Sequence, residues 1–453
     1  MANAQVQAAR PWYRTALFVA PSAPIGALGI PLSLFLPPYY SSYVGMSLAT
    51  VGFCFLIVRL LDIGFDPVMG VMLDRTRTRW GQCRPWLVLG TVFVSAATLW
   101  LFLAGKGTGP IALIAGLVVF YAGTSIIGVA HPAWAARLFQ DYHDRSRIYA
   151  MMAIAAAVGT FIVLGAPTLI GAFGHLGPGG NIHIMGWGIA IAAPLALIAA
   201  LSSAPEPPPA KGHGDAPARA RLRDYLALIR IGAIRRLVIA DGLSAIGVGT
   251  STSLFFFFWR SRGVSATNTS VLVLTYLAAS LLTVPVWMAV SRRIGKHRAL
   301  IASCFGFILV IPGMGFLPAD KMAILVPAIA LLGMTYSGQF LIRAMAADAA
   351  DVARLETGQD RLGQVYAFLT STAKAGPALA VGASYAILDS VGFKTAEGAA
   401  NTRAALDTLR FLYLGFPALM MFGGAMAFVG YKLDKKEHDR VKAALALRDA
   451  EAP

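Results

Sequence analysis

Apolar residues fill runs of roughly 20 residues, the length a helix needs to cross a hydrocarbon core, and the runs recur along most of the chain. Twelve are predicted, centred near residues 25, 58, 95, 124, 161, 192, 246, 277, 307, 334, 375 and 418. Several hold Pro and Gly, which packed membrane helices tolerate. After the sixth run, "SSAPEPPPAKGHGDAPARARLRD" ends the apolar periodicity with Pro, Ala, Gly and Arg, as a linker does. The pattern predicts an all-α membrane protein of twelve transmembrane helices: a six-helix bundle at 1–203, a linker at 204–229, a second bundle at 230–432 and a tail at 433–453.

A weak internal repeat supports the division. "WGQCRP" after the second helix and "IGKHRA" after the eighth each place Arg three residues past Gly, at an offset of 214. Two homologous six-helix halves around a midplane site is the arrangement of major facilitator transporters. Composition agrees: of 453 residues 57% are hydrophobic and 13% charged, and the mean hydropathy is +0.66. The net charge of +16 marks topology rather than nucleic-acid binding. Arg75, Arg77, Arg79 and Arg84, then Arg137, Arg145 and Arg147, then Arg292, Arg293, Lys296 and Arg298 crowd one set of loops. The alternate loops "PPYYSSYVG" and "FGHLGPGGNIH" hold no Lys or Arg, so the basic loops and both termini are expected on the cytoplasmic side, with Arg260 and Arg262 as exceptions. A multi-pass protein of a bacterial inner membrane follows. The first apolar run outlasts a signal peptide and reads as a retained helix. Cys54, Cys83 and Cys304 have no CxxC spacing and imply neither a disulfide framework nor zinc.

Charges inside the apolar runs carry the chemistry. In "RLLDIGFDPVMGVMLDRTRTRWGQCRPW", residues 59–86, Arg59, Asp62 and Asp66 are spaced by three and four and share one helical face. At ~1.5 Å per residue Asp62 lies ~18 Å and Asp66 ~12 Å from Asp74 at the cytoplasmic end. Lys374 lies ~20 Å from Arg361 by the same rise. Acids and lysine are therefore expected at similar depth, where they can neutralise one another. Pro67 removes the amide that would have bonded the carbonyl of Ile63, leaving an acceptor beside the two carboxylates. Such hard oxygen ligands suit Na⁺, Li⁺ or, with one carboxylate protonated, H⁺. An inert Arg59/Asp66 brace is the plainer reading, and it needs one acid rather than two. Asp241 follows the charged "IRR" segment closely and reads as an end-of-helix brace.

The 59–86 segment resembles R-x-x-D-x-x-x-D-P-x-x-G-x-x-x-D-R-T-R-T-R-W-G of the glycoside-pentoside-hexuronide:cation symporters, the melibiose-permease family of the major facilitator superfamily. "ADAADVARLETGQDRLGQVYAFLTSTAKAG", residues 347–376, is similar to that family's loop between helices ten and eleven and the lysine after it. The resemblance implies that Asp62 and Asp66 bind the coupling cation. It also matches Trp134, Thr370 and Lys374 to substrate-side positions, to which Tyr121 and His131 are added as candidates. Trp134 could stack on a sugar ring and His131 could hydrogen-bond a substrate, although plain packing suits either. Two positions depart from the family: Phe65 stands where an Asn is expected and Ile127 where a Thr ligand is, with Thr124 and Ser125 nearby as substitutes. Fewer neutral ligands favour H⁺ over Na⁺ or Li⁺. The family's sugar-holding acids are missing, with Ala130 at one of them.

Asp74 and Arg75 on one half, and Asp348, Asp351, Glu356 and Arg361 on the other, are candidate gate residues whose salt bridges would form and break during alternating access. No HExxH, GxSxG or GxGD pair occurs, so an enzyme is not expected. The expectation is a cation-coupled symporter of a small solute, a sugar or glycoside, needing no cofactor. Its partners would be that solute and membrane lipid, not nucleic acid, and the protein would act as a monomer. An amphiphile such as a lysolipid is the alternative substrate, and passive facilitation the alternative mode.

Overall fold

The computed structural model describes residues 11–139, 142–173, 179–204, 206, 228–358, 361–396 and 399–451. The expected linker falls outside them except for residues 204, 206, 228 and 229. Twelve long helices order the described chain: α1 (Trp12–Val44), α2 (Leu48–Arg75), α3 (Arg84–Phe102), α4 (Pro110–Leu138), α5 (Tyr142–Phe173), α6 (Gly180–Ser203), α7 (Gly232–Ser261), α8 (Ala266–Ile294), α9 (Lys296–Phe316), α10 (Met322–Thr357), α11 (Leu362–Ser390) and α12 (Arg403–Ala427). A shorter helix, α13 (Lys435–Glu451), follows. Eleven of the twelve are long and apolar enough to cross a membrane. The exception, α11, matches them in length at 29 residues but carries Lys374 and the run Thr370, Ser371, Thr372.

The chain divides into two compact units, Met1–Gly212 with Thr395–Ala399, and His213–Lys394 with Ala400–Pro453. Each repeats one packing scheme. In the first unit α1 packs on α5 and α6, α2 on α4, and α3 on α4 and α6; in the second α7 packs on α11 and α12, α8 on α10, and α9 on α10 and α12. Glycine brings the first pair of each scheme close: a Cβ on Gly159 would strike the carbonyl of Ala23, and one on Gly376 would strike Ala245. Small residues at such crossings let backbones approach, which is why Gly recurs in these apolar runs.

The repeat has a backbone cause. Gly81 (φ +114°) and Gly295 (φ +91°) turn the chain into α3 and α9 through conformations that other residues rarely adopt. A second copy escaped the sequence reading: Gly45-Met-Ser47 and Gly263-Val-Ser265 precede α2 and α8. Both glycines have positive φ, and both serine hydroxyls accept the N–H three residues on, at 3.2 Å. One of the two basic exceptions also finds a use. Arg262 donates to the carbonyls of Met314 (2.9 Å) and Leu317 (2.6 Å), closing the end of α9.

Four spans lose regular α-geometry, α9 at its 3₁₀ end Met314–Phe316 and three others within their length. α1 contains π-helical stretches at Pro31–Phe35 and Tyr40–Val44, α12 one at Phe411–Gly415, and α10 a 3₁₀ stretch at Ser337–Phe340. Such interruptions mark hinges or functional sites more often than ordinary helix does.

Candidate cation and substrate sites

Asp62 stands at the middle of α2, about 20 Å from either end at ~1.5 Å per residue. Its residue surface is 4% exposed. Arg59 Nη1 donates to Oδ2 at 3.1 Å, and Ser125 Oγ on the facing α4 donates to Oδ1 at 2.9 Å. The Arg59 guanidinium also lies over the Tyr121 ring, 4.6 Å from its centroid. One turn of α4 thus contributes Tyr121 and Ser125 to both sides of the Arg59–Asp62 pair. Asp66, one turn further along α2, is half-buried. The arginine pairs with Asp62 and not, as a brace was expected to, with Asp66.

The neutral oxygen missing at Ile127 is supplied two residues earlier. Ile127 is buried against the Gly90 side of α3, while Ser125 reaches the acid. Thr124, its neighbour, turns back and donates to the Tyr121 carbonyl at 3.0 Å.

The substrate-side candidates separate into groups. Trp134 has no exposed surface: Phe18 meets it edge-on at 4.9 Å, and the Arg84 guanidinium lies 5.4 Å from its centroid. His131, 2% exposed, lies 5.2 Å from the Phe18 ring, and its Nε2 meets the Phe18 carbonyl at 2.9 Å. These two pack around Phe18, whereas Tyr121 belongs to the Arg59–Asp62 cluster. On α11, Thr370 is exposed and donates to the Tyr366 carbonyl at 2.9 Å, and Lys374 is half-buried about 18 Å along the helix from Leu362.

Asp241 corrects the sequence reading. It lies about 14 Å into α7 rather than at its end, because the helix begins as early as Gly232. Its Oδ2 accepts the Thr372 hydroxyl of α11 and lies 3.8 Å from Arg343 Nη2 of α10.

Gate candidates on the second unit have partners there. Asp348 takes Lys296 Nζ at 2.6 Å, and His438 of α13 meets Asp351 at 2.9 Å and Asp348 at 3.7 Å. Glu356 is exposed and Arg361 half-buried. On the first unit Arg75 is exposed, and the Asp74 side chain lies outside what is described. Glu206, unremarked in the sequence, has its side chain 1% exposed and accepts from the backbone N–H of Gln82 (2.8 Å), Cys83 (2.7 Å) and Arg84 (3.1 Å). It caps the first turn of α3, where amides lack helical partners and the dipole favours a negative charge.

Comparison with known proteins places the chain in a family. Residues 17–435 match the family described as MFS/sugar transport protein. An isoprimeverose transporter of Lactiplantibacillus pentosus is 25% identical over 423 residues, which is 90% of this chain and 85% of that protein. A glucuronide carrier protein homolog of Escherichia coli (strain K12) is 31% identical over 137 residues, 29% of this chain and 30% of that one. A lactose permease of Lactobacillus helveticus is 31% identical over 114 residues, 23% of this chain and 17% of that one. The solved structure of the nucleoside transporter NupG overlays with a TM-score of 0.69 at 13% identity, covering 92% of this chain and 98% of that one, a likeness of fold alone. With the match running nearly end to end, the chain belongs to the MFS/sugar transport protein family, within the glycoside-pentoside-hexuronide:cation symporters, and is a multi-pass integral membrane transporter of a small molecule.

Proposed function

We propose that the chain couples the movement of a sugar or glycoside to that of H⁺ by alternating access, with Asp62 and Asp66 as the cation-binding carboxylates. The observation that carries this is Asp62: a buried carboxylate at the middle of a membrane-length helix, with Arg59 and Ser125 among the groups that hold it. A carboxylate there is expensive and is kept where it has work. Related proteins named for isoprimeverose, glucuronide and lactose support the substrate class.

The residues imply how loading is sensed. A proton on the pair removes the negative charge that Arg59 neutralises and weakens its hold on Asp62 Oδ2. Arg59 still has the Tyr121 face, a contact worth about 0.5–2 kcal/mol, so the guanidinium exchanges partners instead of being stranded. H⁺ is favoured over Na⁺ or Li⁺ because the half-buried Phe65 offers no oxygen where the family places an amide, and a proton needs only one carboxylate. Lys374 and Thr370 are assigned to the substrate side and to coupling; Trp134 and His131 are assigned to packing around Phe18. The distribution of basic loops supports an inner-membrane protein with both termini cytoplasmic, and we take the monomer as the working unit.

The test is uptake of isoprimeverose, lactose and methyl glucuronide into proteoliposomes under an imposed gradient. An inward pH gradient in the absence of Na⁺ should drive accumulation. Accumulation that follows a Na⁺ gradient at fixed pH would reassign the ion. Transport of a lysolipid in place of all three sugars would reassign the substrate, and equilibration without accumulation would make the protein a facilitator.

A further inference from the structure

The α7–α10–α11 corner of the second unit holds a charge pair that the cation site does not use. Arg343 Nη2 donates to the Leu369 carbonyl at 2.8 Å, and the Tyr366 hydroxyl donates to the Arg343 carbonyl at 3.0 Å, so α11 fixes the guanidinium. Asp241 Oδ2 takes the Thr372 hydroxyl and faces the same Nη2 at 3.8 Å. The side chains are 14% and 37% exposed. Arg343 precedes Asp348 by five residues, so it lies about 7.5 Å further into α10 than the Lys296–Asp348 pair.

The geometry is poor for a structural ion pair. A guanidinium built to hold a carboxylate presents two N–H groups to two oxygens. Here every contact runs through one nitrogen and one oxygen, leaving Asp241 Oδ1 and Arg343 Nη1 and Nε without a protein partner among the described residues. A third polar group lies one turn away on the same helix, on its α9–α12 side. Gln339, one turn before Arg343 on the 3₁₀ stretch, has a buried Oε1 with no partner, while its Nε2 reaches only the sulfurs of Cys304 (3.3 Å) and Met421 (3.7 Å). A buried amide oxygen left this way is costly unless something else completes it, whereas the unpartnered atoms of Asp241 and Arg343 lie on partly exposed side chains, where a ligand can meet them.

We infer that Asp241, Arg343 and Gln339 form a hydroxyl-recognising subsite for the transported sugar, a deepening that rests on the sugar reading above. A sugar hydroxyl both donates and accepts, so it satisfies Asp241 Oδ1 and the Arg343 N–H groups together. Neighbouring hydroxyls can do the same for Gln339 Oε1. Thr372 positions the carboxylate by occupying Oδ2. The subsite fits the lack of any acid in α1 and α4: an acidic acceptor for hydroxyls is provided on α7 instead. The 3₁₀ stretch beside it gives α10 a place to yield as substrate arrives.

The experiment measures pH-gradient-driven uptake of isoprimeverose, lactose and methyl glucuronide by wild type, Asp241→Asn and Gln339→Leu. Monodeoxy analogues of whichever sugar the wild type carries with the lowest KM are included. Losing a hydrogen bond to a charged group costs about 10- to 100-fold. Asp241→Asn should therefore raise KM by that factor, with kcat within about threefold and the dependence on the pH gradient unchanged. One monodeoxy analogue that wild type handles at least tenfold worse than its parent should be handled as well as the parent by the variant. Gln339→Leu should flatten the penalty at a different hydroxyl. An unchanged KM, or a loss equal for every analogue and accompanied by a lower Tm, would overturn the subsite and leave the sugar reading intact. Wild type that carries none of the three sugars would overturn both.

Discussion

At the scale of single residues, the proposed cation site centres on Arg59, which has two partners. Arg59 binds Asp62 and lies over Tyr121, and Ser125 completes the acid's second oxygen. Tyr121→Phe keeps the aromatic face and should leave the ion concentration for half-maximal uptake near the wild-type value. Tyr121→Leu removes a contact of about 0.5–2 kcal/mol and should shift that concentration several-fold. Equal behaviour of the two variants would show that the ring has no electrostatic role. Ser125→Ala strips one donor from a buried carboxylate, a loss of about 1–3 kcal/mol, and should shift the ion dependence by roughly tenfold. Asp62 and Asp66 were legible in the sequence because charge stands out in an apolar run. Ser125 and Thr124 were both legible as stand-ins for the missing Thr, but the choice between them was not, because hydroxyls in such helices commonly turn back to their own backbone. Thr124, Thr370 and Ser371 do so here, and only the packing of α4 on α2 separates Ser125 from them. Asp241 was misplaced for a related reason: counting from a charged segment does not reveal where a helix begins.

Among the elements, the α2–α3 turn shows how one carboxylate can organise a helix end. Glu206 meets three backbone amides at the start of α3, and a Cβ on Gly81 would collide with it. The matching Gly295 has only the His297 ring nearby, at 3.9 Å. Either Gly→Ala change imposes unfavourable φ, about 1–3 kcal/mol of strain. Gly81→Ala must in addition displace Glu206 from its three donors. Thermal unfolding of the purified protein should rank Gly81→Ala below Gly295→Ala, with Glu206→Ala also destabilised, by about 1–3 kcal/mol. A Gly295→Ala protein that melts first would refute this reading of the cap. The sequence signalled both glycines through their arginine spacing, but Glu206 sits in a Pro-rich stretch that gives no hint of a helix cap.

For the molecule as a whole, one six-helix packing scheme appears twice, and chemistry divides between the copies. The first holds an acid pair on α2; the second holds Asp241, Arg343 and Lys374 on α7, α10 and α11. The number of spans was legible because the bilayer imposes their length, and the duplication because turns into equivalent helices need the same glycine. Which helices touch was not, since apolar faces on all sides erase the amphipathic signal that would orient them. The tail expected at 433–453 contains α13, which folds onto the end of α10, where His438 meets Asp351 and Arg448 donates to the Arg354 carbonyl at 3.0 Å. The central claim, that the α2 carboxylates convert an ion gradient into solute movement, separates two activities that an intact transporter shows together. Measured in the same proteoliposomes, Asp62→Asn and Asp66→Asn should retain sugar exchange between equal concentrations while losing accumulation driven by a pH gradient. Wild-type accumulation in both variants would contradict the account.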